Sequence, residues 1–358
     1  MKLQDPTMLA TERQLISATE WMDFVTAHAD EHVYYHPAWH ALLRDIYGYD
    51  IKLLSTRDSQ GQLSGIMPIG VVRSILTGTR VVSLPFCDLC APLATDDASM
   101  SDLVGQALAV SECERARYLE IRSGEHHALA AHVALTPSDI YASWTTALSA
   151  TSGPVWSRLR DPVKRQVKKA RRQGVTVRVA DSLDDVDAYY ALHLLTRSRK
   201  HGMPAQPRRY FRALWERLAP LGMARFLLAE HEGKIIAGIV LLTSGKTVRY
   251  AYGASDPTHL QLGPNNLLMW EAIDWACQQG YSVFDFGRTA RDNTGLMEFK
   301  RGWGSEMRVL SYYFNPVAKG LASTSETSWK YQLLTMTWRK LPLAVTGPIG
   351  TALYRHLG

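Results

Sequence analysis

The sequence predicts an α/β (α+β) protein of two successive domains, each a sheet flanked by helices, with an aromatic and basic tail. Three observations predict it. The chain has 358 residues, more than one hydrophobic core usually serves. Strand-like and helix-like stretches alternate along it, which argues for layered α/β architecture. The second half repeats the first half's order of a hairpin, a further strand, a helix and a strand. Residues 1–150 and 151–315 are therefore assigned to the two domains and 316–358 to the tail.

In the first half, 20–29 reads as a helix, and His36-Pro37-Ala38-Trp39 leads into a second that runs to Tyr47. The stretches 51–56 and 65–72 read as paired strands closed by a turn over 58–61. A strand over 80–84 ends at Pro85-Phe86, 102–115 is helical, and 118–122 returns as a strand. Ala150-Thr151-Ser152-Gly153-Pro154 reads as a linker. A basic helix follows, with Asp161 as N-cap, Pro162 in the first position and Gly174 at the C-cap. Val163, Val167 and Ala170 make its apolar stripe. Lys164, Arg165, Lys168, Lys169, Arg171 and Arg172 occupy its other faces. Helices over 184–200 and 208–218 come next. Then follow a hairpin of 225–230 and 234–242 closed by Glu232-Gly233, a strand over 247–253, a helix over 265–278, and strands over 282–286 and 309–314.

The composition, 46% hydrophobic and 21% charged, is that of an ordinary soluble globular protein. No apolar run approaches the roughly 20 residues a membrane-spanning helix needs; the longest, 235–243, reads as a buried strand. The N-terminal MKLQDPTMLATERQ has acids and a proline where a signal peptide needs an apolar core. The expected location is the cytoplasm, at the inner membrane face if the tail or the basic helix docks there. Four cysteines fit a reducing compartment. Cys87 and Cys90 form a lone C-x-x-C with no second pair, so no metal site is expected. A net charge of +6 favours anionic partners without selecting one.

The residues richest in chemistry lie in 281–314. A strand ends in Asp285-Phe286-Gly287-Arg288, a loop carries Asp292, Asn293, Thr294 and Gly295, and Phe299-Lys300-Arg301-Gly302-Trp303-Gly304 follows. Asp-Phe-Gly does not make a kinase, because the glycine-rich loop, the strand lysine and the catalytic-loop motif are missing.

Three blocks of the C-terminal half resemble the FemAB and FemX peptidoglycan-bridge transferases, a GNAT-related acyltransferase family. They are Tyr250-Ala251-Tyr252-Gly253-Ala254-Ser255, LLMWEAIDWACQQG over 267–280, and 284–304. His36-Pro37-Ala38-Trp39 and Ser83-Leu84-Pro85-Phe86 extend the resemblance into the first half. The tail, from Trp338 through Leu341-Pro342 and Gly347-Pro348 to Leu357-Gly358, resembles the FemAB-like subfamily associated with exosortase and exopolysaccharide systems. The resemblance implies two tandem GNAT-like domains with the acceptor in a cleft between or beside them. It also implies function at the Phe-Lys pair, here Phe299 and Lys300, an acceptor contact at Tyr252, and substrate contacts from Arg197 and Arg199. Cys87-Asp88-Leu89-Cys90-Ala91 stands where the family often has a glycine pair, which puts any acceptor contact from that loop in doubt.

Residue chemistry supplies reasons beside the resemblance. Acyl transfer builds negative charge on a carbonyl oxygen, and a fixed lysine in a dry cleft stabilises it; Lys300 would otherwise grip a phosphate or sit solvated beside Arg301. Arginines at 197 and 199 suit phosphate or carboxylate, or are ordinary helix charges. Arg288 follows a strand end, a frequent ligand position in α/β proteins, and Asp285 would orient Lys300 or Arg288 or serve structure alone. GNAT enzymes cradle a pyrophosphate on backbone N–H groups opening a helix. Here that stretch is Leu260-Gln261-Leu262-Gly263-Pro264-Asn265, where Pro264 removes a donor and Asn265 replaces a small residue. No resident cofactor is expected.

The reading is therefore an N-acyl- or aminoacyltransferase acting on an amine of a cell-envelope or exopolysaccharide precursor, without ordinary acetyl-CoA binding. Its partners are a nucleotide- or lipid-linked anionic glycan precursor and an aminoacyl-tRNA or acyl-CoA donor, with peripheral membrane contact through the 164–172 helix and the tail. The alternatives are a non-catalytic membrane-surface module of a polysaccharide export complex and an acyl-CoA-dependent N-acyltransferase.

Overall fold

A computed structural model describes residues 16–29, 33–316 and 329–358. The N-terminal stretch read for a signal segment lies outside the described residues, as do the first part of the tail and the side chains of Trp329 and Tyr331.

Along the first half run α1 (Ala18–His28), α2 (Pro37–Tyr47), β1 (Asp50–Arg57), β2 (Leu63–Val72), β3 (Arg80–Val82), β4 (Leu93–Ala94), α3 (Asp97–Cys113), β5 (Leu119–Arg122), α4 (His127–Ala131) and β6 (Thr136–Ala147). The second half holds α5 (Gly153–Arg158), α6 (Asp161–Arg172), β7 (Thr176–Val179), α7 (Leu183–Leu195), α8 (Arg208–Ala213), β8 (Ala224–His231), β9 (Lys234–Ser244), β10 (Thr247–Ser255), α9 (Pro264–Gln278), β11 (Val283–Ala290), α10 (Thr294–Arg301) and β12 (Glu306–Asn315). The tail forms α11 (Trp329–Lys340) and α12 (Leu343–Tyr354). Both α7 and α8 end in π-helical turns, Thr196–His201 and Leu214–Leu218.

Local chemistry sets several of these boundaries. The His36 ring accepts the Ala38 N–H at 3.1 Å, Pro37 occupies the first turn of α2, and Gly48 closes it with φ +72°, a conformation that costs glycine little. Asp96 caps α3 through the Ser99 N–H at 2.7 Å. The expected Asp161 cap is corrected by one residue. Arg160 is the N-cap of α6 and Asp161 its first helical residue, because the Arg160 N–H is taken by the Gly302 carbonyl and its own carbonyl accepts from Val163. Part of the expected linker is the helix α5, with Pro154 in its first turn and Val155 buried. The stretch around Phe299, read as the continuation of a loop, is the helix α10, because Asn293 accepts the Leu296 N–H at 3.1 Å and caps it.

One mixed sheet carries all twelve described strands, in the order β1-β2-β3-β5-β12-β6-β11-β10-β9-β8-β7, with β4 beside β2. The predicted repeat is visible as an approximate mirror of this order. The run β1, β2, β3, α3, β5 corresponds to β8, β9, β10, α9, β11, and in each half the third strand lies parallel to the one after the helix. The last strands are exchanged. Strand β6 pairs with β11, β12 pairs with β5, and β6 and β12 pair with each other. No strand was expected over 136–147. Side chains are buried there only at Ala142, Trp144 and Thr146, so the two-residue period of a half-buried strand surfaces in its second half alone.

Three large cores flank the sheet. One lies under the first half, around Met67, Leu103 and Ile121, and one under the second, around Leu241, Trp270 and Phe284. The third joins both halves, since Trp39, Leu42 and Leu84 share it with Tyr189, Phe211 and Tyr354.

Candidate active site

The site arises where β10 and β11 part. They pair in parallel only from Thr247–Val283 to Arg249–Asp285. Beyond that β10 stays with β9 and β11 stays with β6, with a register shift between Asp285 and Arg288. Gly287 forms this bulge at φ +73°, and a Cβ there would come within 3.0 Å of the Asp88 carboxylate. Only glycine fits both demands.

Around the bulge stands a buried charge network. Arg249, 3% exposed, pairs with Asp285 at 2.8 Å and lies 3.9 Å from Asp88. Asp285 also accepts the Gly287 N–H at 2.7 Å. Asp88 accepts the Arg288 backbone N–H at 3.0 Å and faces its guanidinium at 3.3 Å. Burial alone would raise the Asp88 pKa, but Arg288, Arg249 and that backbone donor hold it below the usual carboxylate range. Arg288 is fixed further by the Tyr312 hydroxyl at 3.0 Å and lies 4.5 Å over the Tyr141 ring.

Lys300 is not solvated. It is 4% exposed and donates to the carbonyls of Gly287 at 2.8 Å and Arg288 at 3.0 Å. It clamps the bulge and leaves one ammonium N–H beyond these two bonds. Burial lowers its pKa to about 8, against the opposing pull of Asp88 and Asp285. Asp285 thus contributes field to Lys300 while its direct partner is Arg249. Phe299 points elsewhere: it is 41% exposed and meets Trp303 edge-on.

Two cavities flank the network, and both are lined by Asp88 and Arg288. The larger, about 740 Å³, is bounded by Tyr34, Ser143, Thr145, Arg249 and Asp285. The smaller, about 380 Å³, holds Arg122, Arg197, Arg288, His193, His201 and Tyr252. His193 is driven to about 3 and His201 to about 4, first by burial and then by neighbouring cations. Both are therefore neutral at pH 7, and the positive charge of this cavity comes from its arginines. Tyr252 shares a 2.7 Å hydrogen bond with the Tyr210 hydroxyl, and burial raises its pKa.

Of the residues singled out in the sequence, Lys300, Asp285, Arg288, Arg197 and Tyr252 gather at this junction. Phe299, Arg199 and Asn265 do not line either cavity, and neither does Lys300, which reaches the junction only through the Gly287 and Arg288 carbonyls. Asn265 reaches the Ser255 hydroxyl at 3.3 Å in the first turn of α9, where Gly263 is the N-cap and Pro264 the first residue. Arg199 donates to the carbonyls of Arg339 and of Leu341, the latter at 2.9 Å, and so ties the tail to α7. Arg199→Ala is expected to cost about 1 kcal/mol and to speed limited proteolysis of α11 without altering turnover.

Sequence reasoning passed over Asp88, Arg249, Arg122 and His193. An arginine inside the apolar strand TVRYAYGAS was the available signal for Arg249, since buried charge is rare without a partner. Asp88 sits between Cys87 and Cys90, both buried, in the loop that departs from the family's glycine pair, and nothing in that departure marks it as an ion-pair partner.

Known proteins resemble this chain in sequence and in fold. Residues 157–301 match the model of the "Acetyltransferase (GNAT) domain". A lipid II:glycine glycyltransferase of Staphylococcus epidermidis is 34% identical over 83 residues, 22% of this chain and 20% of that protein. A UDP-N-acetylmuramoylpentapeptide-lysine N(6)-alanyltransferase of Weissella viridescens is 25% identical over 131 residues, 37% of this chain and 38% of that one. The matches thus span well under half the length of these curated relatives. The crystal structure of FemX superposes with a TM-score of 0.69 at 16% identity, covering 85% of this chain and 97% of that one, a likeness of fold.

Proposed function

We propose that this chain, which belongs to the FemAB-like, GNAT-related acyltransferases, moves an aminoacyl or other acyl group onto an amine of an anionic cell-envelope or exopolysaccharide precursor. The observation that carries this reading is the junction itself: two cavities meet at Asp88 and Arg288, and although each is lined by three arginines, the larger also carries Glu125 and Asp285 while the smaller has Asp88 as its only acid. A two-substrate transfer needs two reactants brought together at one point. The smaller cavity suits a phosphate or carboxylate of the precursor. The larger one has room for the acyl donor.

In the reaction the acceptor nitrogen attacks the acyl carbonyl, a C–N bond forms, and the bond from the carbonyl carbon to the donor oxygen breaks. Negative charge passes from the carbonyl oxygen to the leaving oxygen. The cation of Lys300 and the guanidinium of Arg288 place positive field at that point. The nitrogen's proton leaves to the departing oxygen or to water. Lys300 also holds Gly287 and Arg288 in place, and Tyr252 with Arg197 orients the precursor.

The test is mass spectrometry of a UDP-linked muramoyl pentapeptide and of its lipid-linked form, each incubated with purified chain and charged tRNAs, or with acetyl-CoA. An aminoacyl increment dependent on charged tRNA is expected. The match to the acetyltransferase model favours one second reading, acyl-CoA as donor. An acetyl increment would establish it, and no increment with either donor would sink both in favour of a non-catalytic module. Arg197→Ala is expected to raise KM for the anionic acceptor roughly 10- to 100-fold, the loss of one or two charge-assisted hydrogen bonds, with kcat nearly unchanged in steady-state assays.

A further inference from the structure

The helix α12 presents the wrong face to water. Ala344, Val345, Pro348, Ile349 and Ala352 are all exposed, and their spacing puts them on one side of a helix. The opposite side carries Thr346, Gly350 and Tyr354, all buried. A surface helix ordinarily shows charge outward, yet no charged residue falls between Lys340 and Arg355. Val345 and Ile349 are each 40% exposed, and Leu357 and Met336 add 50% and 56%.

The buried side is firmly anchored. Thr346 bonds the Ser198 hydroxyl at 3.1 Å, and the Gly350 backbone lies so close to Ala205 that an added Cβ would approach its nitrogen to 3.2 Å. The Tyr354 ring stands 4.9 Å from that of Phe86 and lines the smaller cavity. Beyond α12, the Arg355 carbonyl accepts from Tyr49 at 2.8 Å and the Gly358 carbonyl from Arg80 at 2.7 Å. The described part of the tail therefore packs across both halves and turns the apolar side of α12 outward.

We infer that the outer face of α12 is an in-plane docking surface for an anionic phospholipid bilayer. The charges at the helix ends select this occupant. Arg339 and Lys340 precede it, Arg355 follows it, all three exposed, and no acidic residue occurs after Glu326. Cations flanking an apolar face are the pattern of helices that lie in a charged interface. Twelve residues span roughly 18 Å, too short to cross a bilayer. A second copy fits worse. Five small or medium side chains fall well short of the roughly 1,000 Å² a specific interface buries, and antiparallel pairing would set Arg355 against Arg339 and Lys340. Because α12 lines the smaller cavity with its other side, docking would hold that cavity near the lipid head groups. The inference goes beyond the proposed reaction and does not need it.

Flotation of the full chain tests it, with vesicles of phosphatidylglycerol and phosphatidylcholine against phosphatidylcholine alone. Binding to the anionic vesicles is expected, weakened by salt. The pair Val345→Glu and Ile349→Glu, both at exposed positions, is expected to reduce it at least about tenfold without changing the melting temperature or transfer to a soluble acceptor. Failure of the unaltered chain to float on anionic vesicles overturns the proposal, as does undiminished flotation of the pair. So does a dimer in light scattering that the pair dissolves, which would give the face to a second copy. Failed transfer with intact flotation would count against the reaction alone.

Discussion

Asp285→Ala is expected to destabilise the protein by about 3–5 kcal/mol, the usual consequence of removing one partner of a buried ion pair. Asp285 stands 2.8 Å from Arg249, and their side chains are 9% and 3% exposed. With the carboxylate gone, Asp88 at 3.9 Å is the nearest acid left to that guanidinium, and the Gly287 N–H loses its acceptor. Denaturant melts should show a lower midpoint with an unchanged slope. Adding Arg249→Met should restore part of the loss, since an apolar replacement of both partners leaves no stranded charge. A double variant as unstable as the sum of the singles would refute the pairing as the cause.

Lys300→Met is expected to lower kcat by roughly 100- to 1,000-fold, the scale of losing one fixed electrostatic stabiliser. It also leaves the Gly287 and Arg288 carbonyls without their donor, a folding cost of about 1–3 kcal/mol for each buried group. The pH dependence separates these effects. Burial sets Lys300 near 8, whereas an unfolded lysine titrates near 10.4. Below about pH 8 both states carry the proton. Between about 8 and 10.4 the folded chain sheds it while the unfolded chain keeps it, so this residue adds stability as pH rises. Activity should move the other way, falling above about pH 8 as the cation is lost. Lys300→Arg, charged throughout, should remove that descending limb whatever its absolute rate. A limb that survives in the arginine variant would assign it to another group.

Most of the elements were legible because amphipathic periods are local. The β8–β9 hairpin and the helix α9 lie within a residue or two of expectation. The strand β6 was not, since its partners are β11 and β12, far along the chain, and its first half packs few buried side chains. The site follows the same division. Lys300, Arg288 and Asp285 stand in one motif-rich stretch and were found together. Asp88 reaches the bulge from the other half of the chain, and only the folded sheet reveals that it meets Arg288. The role of Arg199 in holding the tail was hidden for the same reason, because its acceptors lie at 339 and 341.

The exchange of β6 and β12 bears on how the chain comes off the ribosome. Strand β5 borders β12, whose residues are made last among the strands. Until residues 306–315 emerge, the first half keeps an open edge at β5, and β6 lacks one of its two neighbours; until 283–290 emerge it lacks both. Open edges invite pairing with other chains, and long-range strand pairing is slow. The nascent protein thus carries an incomplete sheet through most of its synthesis. Chaperone capture during translation, or pausing before β12, should therefore affect the yield of native protein more than changes to the helices on either face.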